Sequence, residues 1–186
     1  AIHLAVGCGV CGHFRSGNYH LFATWKCLGF TTDGGNAEYL AVPERNLLRL
    51  PDTMTFLAGA ISTDAFGTLC SACRKLDIDG LSSVGIWGLG PMGSAGVLAA
   101  KALGGRVVAL DPIAERRDFA VKMGADLVLD PTLPTSREQI MDFTGGRGLN
   151  AAIDCSGNGA AQNMALDTAA AFGKVAFVGE SRELSI

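Results

Sequence analysis

The spacing of apolar positions changes character along this chain. Residues 1–54 are rich in glycine, show little helical periodicity and are punctuated by "TTDGGNAEYLAVP" and "RLPD". Thr32-Asp33-Gly34-Gly35 marks a turn, Ala37 to Val42 reads as a strand stopped by Pro43, and Asn46 to Leu50 reads as another short strand ended by Pro51-Asp52. This is a β-rich piece. Residues 55–80 turn helical, with Phe56, Leu57, Ala60, Ile61, Ala65, Leu69 and Ala72 on recurring spacings as far as Lys75. Residues 81–186 then alternate strands and helices: Val84 to Trp87 (strand), Ser94 to Leu103 (helix), Arg106 to Leu110 (strand), Ala114 to Met123 (helix closed by Gly124), Ala125 to Asp130 (strand), Ser136 to Phe143 (helix), Leu149 to Cys155 (strand), Ala160 to Phe172 (helix) and Lys174 to Val178 (strand). Such alternation predicts an α/β fold with a doubly wound parallel sheet of about five strands and helices on both faces.

The stretch "VGIWGLGPMGSAGVLAAKALGGRVVALD" carries the most chemistry. A buried strand runs straight into Gly88-Leu89-Gly90-Pro91-Met92-Gly93, an Ala-rich helix follows, and a second strand ends on Asp111. In a dinucleotide site Gly88 permits the tight turn, Gly90 lets backbone approach a pyrophosphate, and Gly93 lets the helix pack closely on the sheet. The helix N-terminus meanwhile offers free N–H groups to the phosphates. Asp111, 23 residues after Gly88, stands where a carboxylate accepts the adenosine ribose hydroxyls. That predicts NAD rather than NADP, because a 2′-phosphate would meet a like charge; Arg116 and Arg117 close behind temper the preference. A structural Gly-rich turn and a methyltransferase share parts of this pattern. Topology adds Thr68, Val178 and Gly179 around the nicotinamide, with Cys155 and Ser156 as weaker candidates.

Composition narrows the classes. A net charge of −3 without a basic stripe predicts no nucleic-acid surface. No run reads as long and apolar enough to span a membrane, and no signal peptide opens the chain. The six cysteines are too few for a disulfide scaffold, so Cys8-x-x-Cys11 and Cys70-x-x-Cys73 suggest metal ligands or buried thiols in a reducing, cytoplasmic setting. Cys70 and Cys73 fall inside a predicted helix and read as core thiols.

"CGVCGHFRSGNYHLF" resembles the structural-zinc lobe of the zinc-dependent medium-chain alcohol dehydrogenases, whose pattern is C-x2-C-x2-C-x7-C. "DGGNAEYLAVPERNLLRLPD" and the glycine unit recur in that family in the same order, so the resemblance covers essentially the whole chain. It implies a partial GroES-like catalytic segment ahead of an NAD-binding Rossmann domain. It also implies a catalytic zinc, hydride transfer between a small-molecule alcohol or aldehyde and NAD, and a homo-oligomer.

This sequence departs from the pattern. Its four structural ligand positions hold Cys8, Cys11, Phe14 and Phe22, and a benzyl group donates no lone pair to zinc. Either the lobe packs phenylalanine where the metal sat, or His13, His20 and Cys27 rebuild a site around Cys8 and Cys11. For the catalytic zinc the resemblance implies Asp64 as one ligand and Thr68, four residues on, beneath the nicotinamide; the plain alternative for Asp64 is a helix-cap or surface carboxylate. The family's other two ligands have no counterpart here, and its first segment and sixth strand are expected to be missing. The chain by itself is therefore expected to bind NAD without turnover. The other readings are an NAD-binding remnant and a zinc-free reductase of the quinone-oxidoreductase type. An open edge at Lys174 to Val178 is expected to promote self-association.

Overall fold

The structure, a computed structural model, describes residues 1–18, 21 and 24–181. The chain forms two compact units, Ala1–Thr63 and Asp64–Ile186. The boundary falls inside the helical stretch that the sequence marks as a connector, and the second half of that stretch belongs to the larger unit.

In the smaller unit β1 (Ala5–Val6) pairs antiparallel with β2 (Lys26–Cys27), and the short helix α1 (Gly12–Arg15) lies between them in sequence. A single 3₁₀ turn, Glu44–Asn46, buries Asn46. Its Nδ2 donates to the carbonyls of His3 (2.7 Å) and Ala5 (3.0 Å), and its own carbonyl accepts from the His3 N–H (2.7 Å). A side-chain amide thus supplies the partners that a strand would have offered. The strands expected at Ala37 to Val42 and Asn46 to Leu50 do not form: the first runs as bends and then chain without regular structure, and in the second only Leu47 bridges, to Ile2. Turn and proline signals bound a segment, but a strand also needs a neighbouring edge to satisfy its backbone.

Helix α2 (Phe56–Ile61) starts at Thr55, whose side chain accepts from the Ala58 N–H at 3.2 Å. It passes through a π turn, Ser62–Phe66, into α3 (Gly67–Lys75). Together these 20 residues are long and apolar enough to cross a membrane by length and composition, which corrects the expectation that no run is. Leu69 and Cys73 in its C-terminal half are nonetheless fully buried in protein, packed against the sheet's first crossover helix.

The larger unit continues with β3 (Ser83–Trp87), α4 (Pro91–Ala102), β4 (Arg106–Leu110), α5 (Ala114–Lys122), β5 (Leu127–Leu129), α6 (Ser136–Phe143), β6 (Leu149–Asp154), α7 (Gly159–Asp167) and β7 (Ala169–Phe177). The strands form one parallel sheet in the order β5-β4-β3-β6-β7. The chain steps outward one way from β3, then returns to place β6 on its other side, which opens a crevice at the carboxyl ends of the strands. Each face has its own core. Val84, Ile86, Val107, Ala109 and Ile153 meet Leu69, Val97 and Ala100, whereas Trp87, Val108, Leu110 and Ala152 meet Ile140 and Ala165. Sealing such side chains on both faces contributes about 1.5–3 kcal/mol for each large one.

One predicted helix is too long. The run from Ala160 stops at Asp167, Thr168 turns its hydroxyl back on the Met164 carbonyl at 2.7 Å, and Ala169 already pairs with Leu149. The alanines of residues 169–171 favour helix locally, but an available sheet edge overrides a propensity of a few tenths of a kcal/mol per residue. The strand then bulges before Lys174, where Phe172 takes φ 63° and stands fully exposed.

Asp126 shows how the outer strands are tied. Its carboxylate accepts from the Val107 N–H at 2.6 Å and from Lys101 Nζ at 2.8 Å. Partial burial would raise its pKa, but the Lys101 and Val107 hydrogen bonds outweigh this and hold it below the usual carboxylate value. A depressed folded pKa stabilises above the unfolded value and loses that contribution as pH falls through the folded one. Asp126→Asn should therefore cost about 1–2 kcal/mol near neutral pH. In melts at decreasing pH the gap to the unmutated chain should narrow below about pH 4.

Candidate functional site

The crevice is built from turns at the ends of four strands. Gly88, just past β3, has φ +81°, and a Cβ there would sit 2.8 Å from Ser156. Gly93, in the first turn of α4, is more tightly constrained: a Cβ would lie 1.8 Å from the Gly88 carbonyl oxygen. Gly90 is the opposite case, with nothing within 4 Å of its Cβ position. One glycine makes the turn, one lets helix and strand touch, and one leaves backbone bare toward the cleft. Leu89, between them, is buried. Pro91 occupies the first turn of α4 and Met92 packs on the core; that turn has no acidic residue and no side-chain cap, so its N–H groups retain their partial positive charge.

Asp111 ends β4 almost fully buried. Its Oδ2 accepts from the Leu89 N–H at 2.7 Å and its Oδ1 from the Ile113 N–H at 2.9 Å. Arg116, with its side chain 48% exposed, reaches Oδ2 at 3.3 Å, while Arg117 bonds the Asp111 carbonyl at 2.7 Å. The sequence suggests a carboxylate open to a ribose; the structure adds that it is buried, holds the glycine turn and pairs with Arg116. A ribose reaching this carboxylate displaces or shares Arg116.

The cleft between these groups encloses about 410 Å³. Gly88, Gly90, Asp111 and Arg116 line it, together with Cys155 and Ser156. It also takes in residues that the sequence reading missed: Trp87, Pro112, Pro131, Thr132, Asn158 and Met164. The available signal was positional, since nearly all of them follow a strand's carboxyl end or open α7. Val178 and Gly179 do not line it. Val178 packs on the core, and Gly179 abuts Gly157, where a Cβ would come within 2.2 Å of backbone nitrogen.

Asp64 and Thr68 are exposed, one helical turn apart, with Thr68 Oγ1 at 3.4 Å from Asp64 Oδ1; neither lines the cleft. Burial, and secondarily Cys70, pushes the Cys73 thiol up to about 11; burial, then the charges at Asp154 and Cys73, pushes Cys155 to about 12. Cys73 is thus the inert core thiol that the sequence suggests, and Cys155 stays protonated in the cleft wall.

The N-terminal cysteines retain the turn of a metal knuckle. Cys8 Sγ accepts from the Cys11 N–H at 3.3 Å, and Cys11 Sγ from the Phe14 N–H at 3.4 Å. Hydrogen bonds from the backbone at Val10 and Cys11 hold the Cys8 thiol below its ordinary pKa. The third ligand position, however, is Phe14, with the Arg45 guanidinium over its ring at 5.9 Å. His20 and Phe22 lie outside the described residues. Among the described residues no group of three or more His, Cys, Asp or Glu side chains could hold a metal ion. That applies to Asp64 as much as to Cys8, Cys11, His13 and Cys27, so among the described residues neither zinc site has its full donor set, and the rebuilt site that includes His20 falls outside them.

Residues 91–186 match the zinc-binding dehydrogenase family model, which covers the helix after the glycine turn and the rest of the sheet. The chain belongs to the zinc-binding dehydrogenase family. It is 33% identical over 183 residues to a zinc-type alcohol dehydrogenase-like protein of Escherichia coli, covering 94% of this chain and 50% of that protein. It is 32% identical to the L-threonine 3-dehydrogenase of Pyrococcus horikoshii, covering 96% and 51%. Among solved structures, the alcohol dehydrogenase of Aeropyrum pernix superposes with a TM-score of 0.90 at 30% identity, over 100% of this chain and 55% of that one. A structure from Sinorhizobium meliloti bound to NADP superposes with a TM-score of 0.88 at 26% identity, over 100% and 56%. The chain spans about half the length of the curated relatives it matches.

Two substitutions separate the glycine roles in this zinc-binding dehydrogenase chain. Gly93→Ala drives a methyl into the Gly88 carbonyl and should lower the melting temperature by several degrees, at a cost of about 1–3 kcal/mol. At Gly90 an added Cβ meets nothing within 4 Å, so Gly90→Val should melt within a degree or two of the unmutated chain, a cost below about 0.5 kcal/mol. For the metal, the 186-residue chain dialysed without chelator should retain no stoichiometric zinc by elemental analysis. One zinc per chain, lost on Cys11→Ser, would overturn this.

Proposed function

We propose that this protein is an NAD-dependent dehydrogenase that exchanges hydride between a small-molecule alcohol or aldehyde and the nicotinamide, working in the cytoplasm. The observation that carries the reading is the pairing of the bare Gly90 backbone with the buried Asp111 carboxylate across one cleft at a parallel-sheet crossover. The relatives' names, alcohol dehydrogenase and L-threonine 3-dehydrogenase, support the reaction class.

NAD, when bound, supplies the hydride acceptor. The chain's own residues then have separable tasks. N–H groups of the first turn of α4 face the pyrophosphate, and Gly90 lets the phosphates approach without a side chain in the way. Asp111 takes the ribose hydroxyls with Arg116 swung aside, and its charge disfavours a 2′-phosphate. Arg116 is also the group that tolerates one, so discrimination against NADP is modest. The wall from Cys155 to Met164 is mostly apolar and excludes water from the adenosine half. We assign no step to zinc, because the described donors do not form its site. That same observation favours cofactor binding without turnover for these 186 residues taken alone. β7 stands at the edge of the described sheet, and edge-to-edge pairing of two copies would support a homo-oligomer.

Calorimetric titration of NAD⁺ and NADP⁺ tests this. NAD⁺ should bind more tightly, Gly90→Val should weaken it at least about tenfold, and Asp111→Gly should erase the preference between the two cofactors. Equal affinity of the unmutated chain for both would refute the role given to Asp111, and absence of binding would remove the proposal.

A further inference from the structure

The most heavily used side chain in the larger unit is one with no assigned role. Asp154 ends β6 with no exposed surface. Its Oδ1 accepts from the Ser156 N–H (2.9 Å) and the Ser156 hydroxyl (2.5 Å). Its Oδ2 accepts from the Gly157 N–H (3.0 Å) and Gln162 Nε2 (3.0 Å). Among the described residues no basic side chain forms an ion pair with it, so these neutral donors alone offset the cost of burying a carboxylate. Its backbone carbonyl is engaged as well, accepting from the N–H groups of Val178 (2.8 Å) and Gly179 (2.9 Å).

The turns held in this way meet with no clearance. A Cβ on Gly157 would lie 2.1 Å from the Glu180 carbonyl, and one on Gly88 would lie 2.8 Å from Ser156. The ends of β3, β6 and β7 therefore lock together around Asp154. Two of the residues it bonds or adjoins, Ser156 and Cys155, form the cleft wall opposite Asp111. We propose that Asp154 is a positioning residue for the dinucleotide: its carboxylate fixes the Cys155–Asn158 turn so that this wall and the Gly88 turn stand at the separation the cofactor needs. The inference rests on the NAD reading above and deepens it.

Asp154→Asn isolates the effect. The variant is isosteric, and Gln162 can turn its amide so that Oε1, buried and unpartnered in the structure, accepts from the new amide group. The Gly157 N–H, however, then faces a donor and is released. Gln162→Met is the companion variant, because it removes a contact to the same carboxylate from behind and leaves the Ser156 and Gly157 bonds in place.

The experiment measures NAD⁺ affinity by calorimetry, backbone amide exchange at residues 155–157, and thermal melting for the intact protein and both variants. Asp154→Asn should weaken NAD⁺ about tenfold and speed exchange at Gly157, whereas Gln162→Met should melt lower yet bind within about twofold of the unmutated protein. Equal loss of affinity in both variants would assign the effect to general stability and overturn the proposal. So would an Asp154→Asn protein that fails to fold, or one that binds NAD⁺ as tightly as before. If the unmutated protein binds no NAD⁺, the cofactor reading falls and this inference falls with it; in every other case the inference is judged alone.

Discussion

The contact between Gly93 and the Gly88 carbonyl is the constraint on which the larger unit depends. A helix that begins immediately after a strand must fold back over it, and here the backbone of its first turn touches the turn it has just left. Only a residue without a Cβ allows that approach, and the approach aims the N-terminus of α4 along the crevice. The buried face of α4 follows from the same geometry. Gly96 lies one turn on, where a Cβ would come within 3.2 Å of Leu69 and 3.4 Å of Ile86, so the helix also sits close to α3 and the sheet. Small residues along this helix are therefore packing requirements first, and the crevice at its N-terminus is built on top of them.

Two buried carboxylates organise the rim of the crevice from opposite sides of β3. Asp111 gathers the Leu89 and Ile113 N–H groups, and Asp154 gathers those of Ser156 and Gly157. Each ends a strand, and each satisfies backbone donors that a turning chain leaves unpaired. They differ in their surroundings. Asp111 has a half-exposed arginine across it and lines the cleft, so it can exchange a partner. Asp154 is closed in by neutral donors and has none to exchange. That difference in accessible partners, rather than residue type, separates the acid that lines the cleft from the one closed off behind it.

The smaller unit follows a different logic. Its Cys8–Cys11 turn keeps the N–H to sulfur hydrogen bonds that suit a thiolate pair, while the next position in the spacing holds a phenylalanine stacked under Arg45. A loop can retain its local conformation after losing a ligand, because backbone-to-sulfur bonds need no metal. Tetrahedral zinc needs four donors, and the described residues of this loop supply two, Cys8 and Cys11.

Much of the larger unit was legible from sequence because its signals are local. The strand–glycine–helix–strand–acid order, Gly124 closing α5, and the full extent of Ser136–Phe143 all arise from residues within a few positions of one another. Where the outcome depended on distant partners, the sequence misled or said nothing. Ala37 to Val42 lies between a turn signal and Pro43 like a strand but forms none, and Ala169–Ala171 carries helix formers into a strand because β6 offers an edge. The cleft was half legible: the glycines and Asp111 announce themselves, whereas Met164, Thr132 and Asn158 reach the same cavity only through the order in which the strands are laid. The sequence by itself determined the glycine turn, the alternation of strands and helices in the larger unit, and which residues carry charge. Only the tertiary structure decided which donors each buried carboxylate meets, because those donors come from chain segments whose proximity no local pattern encodes.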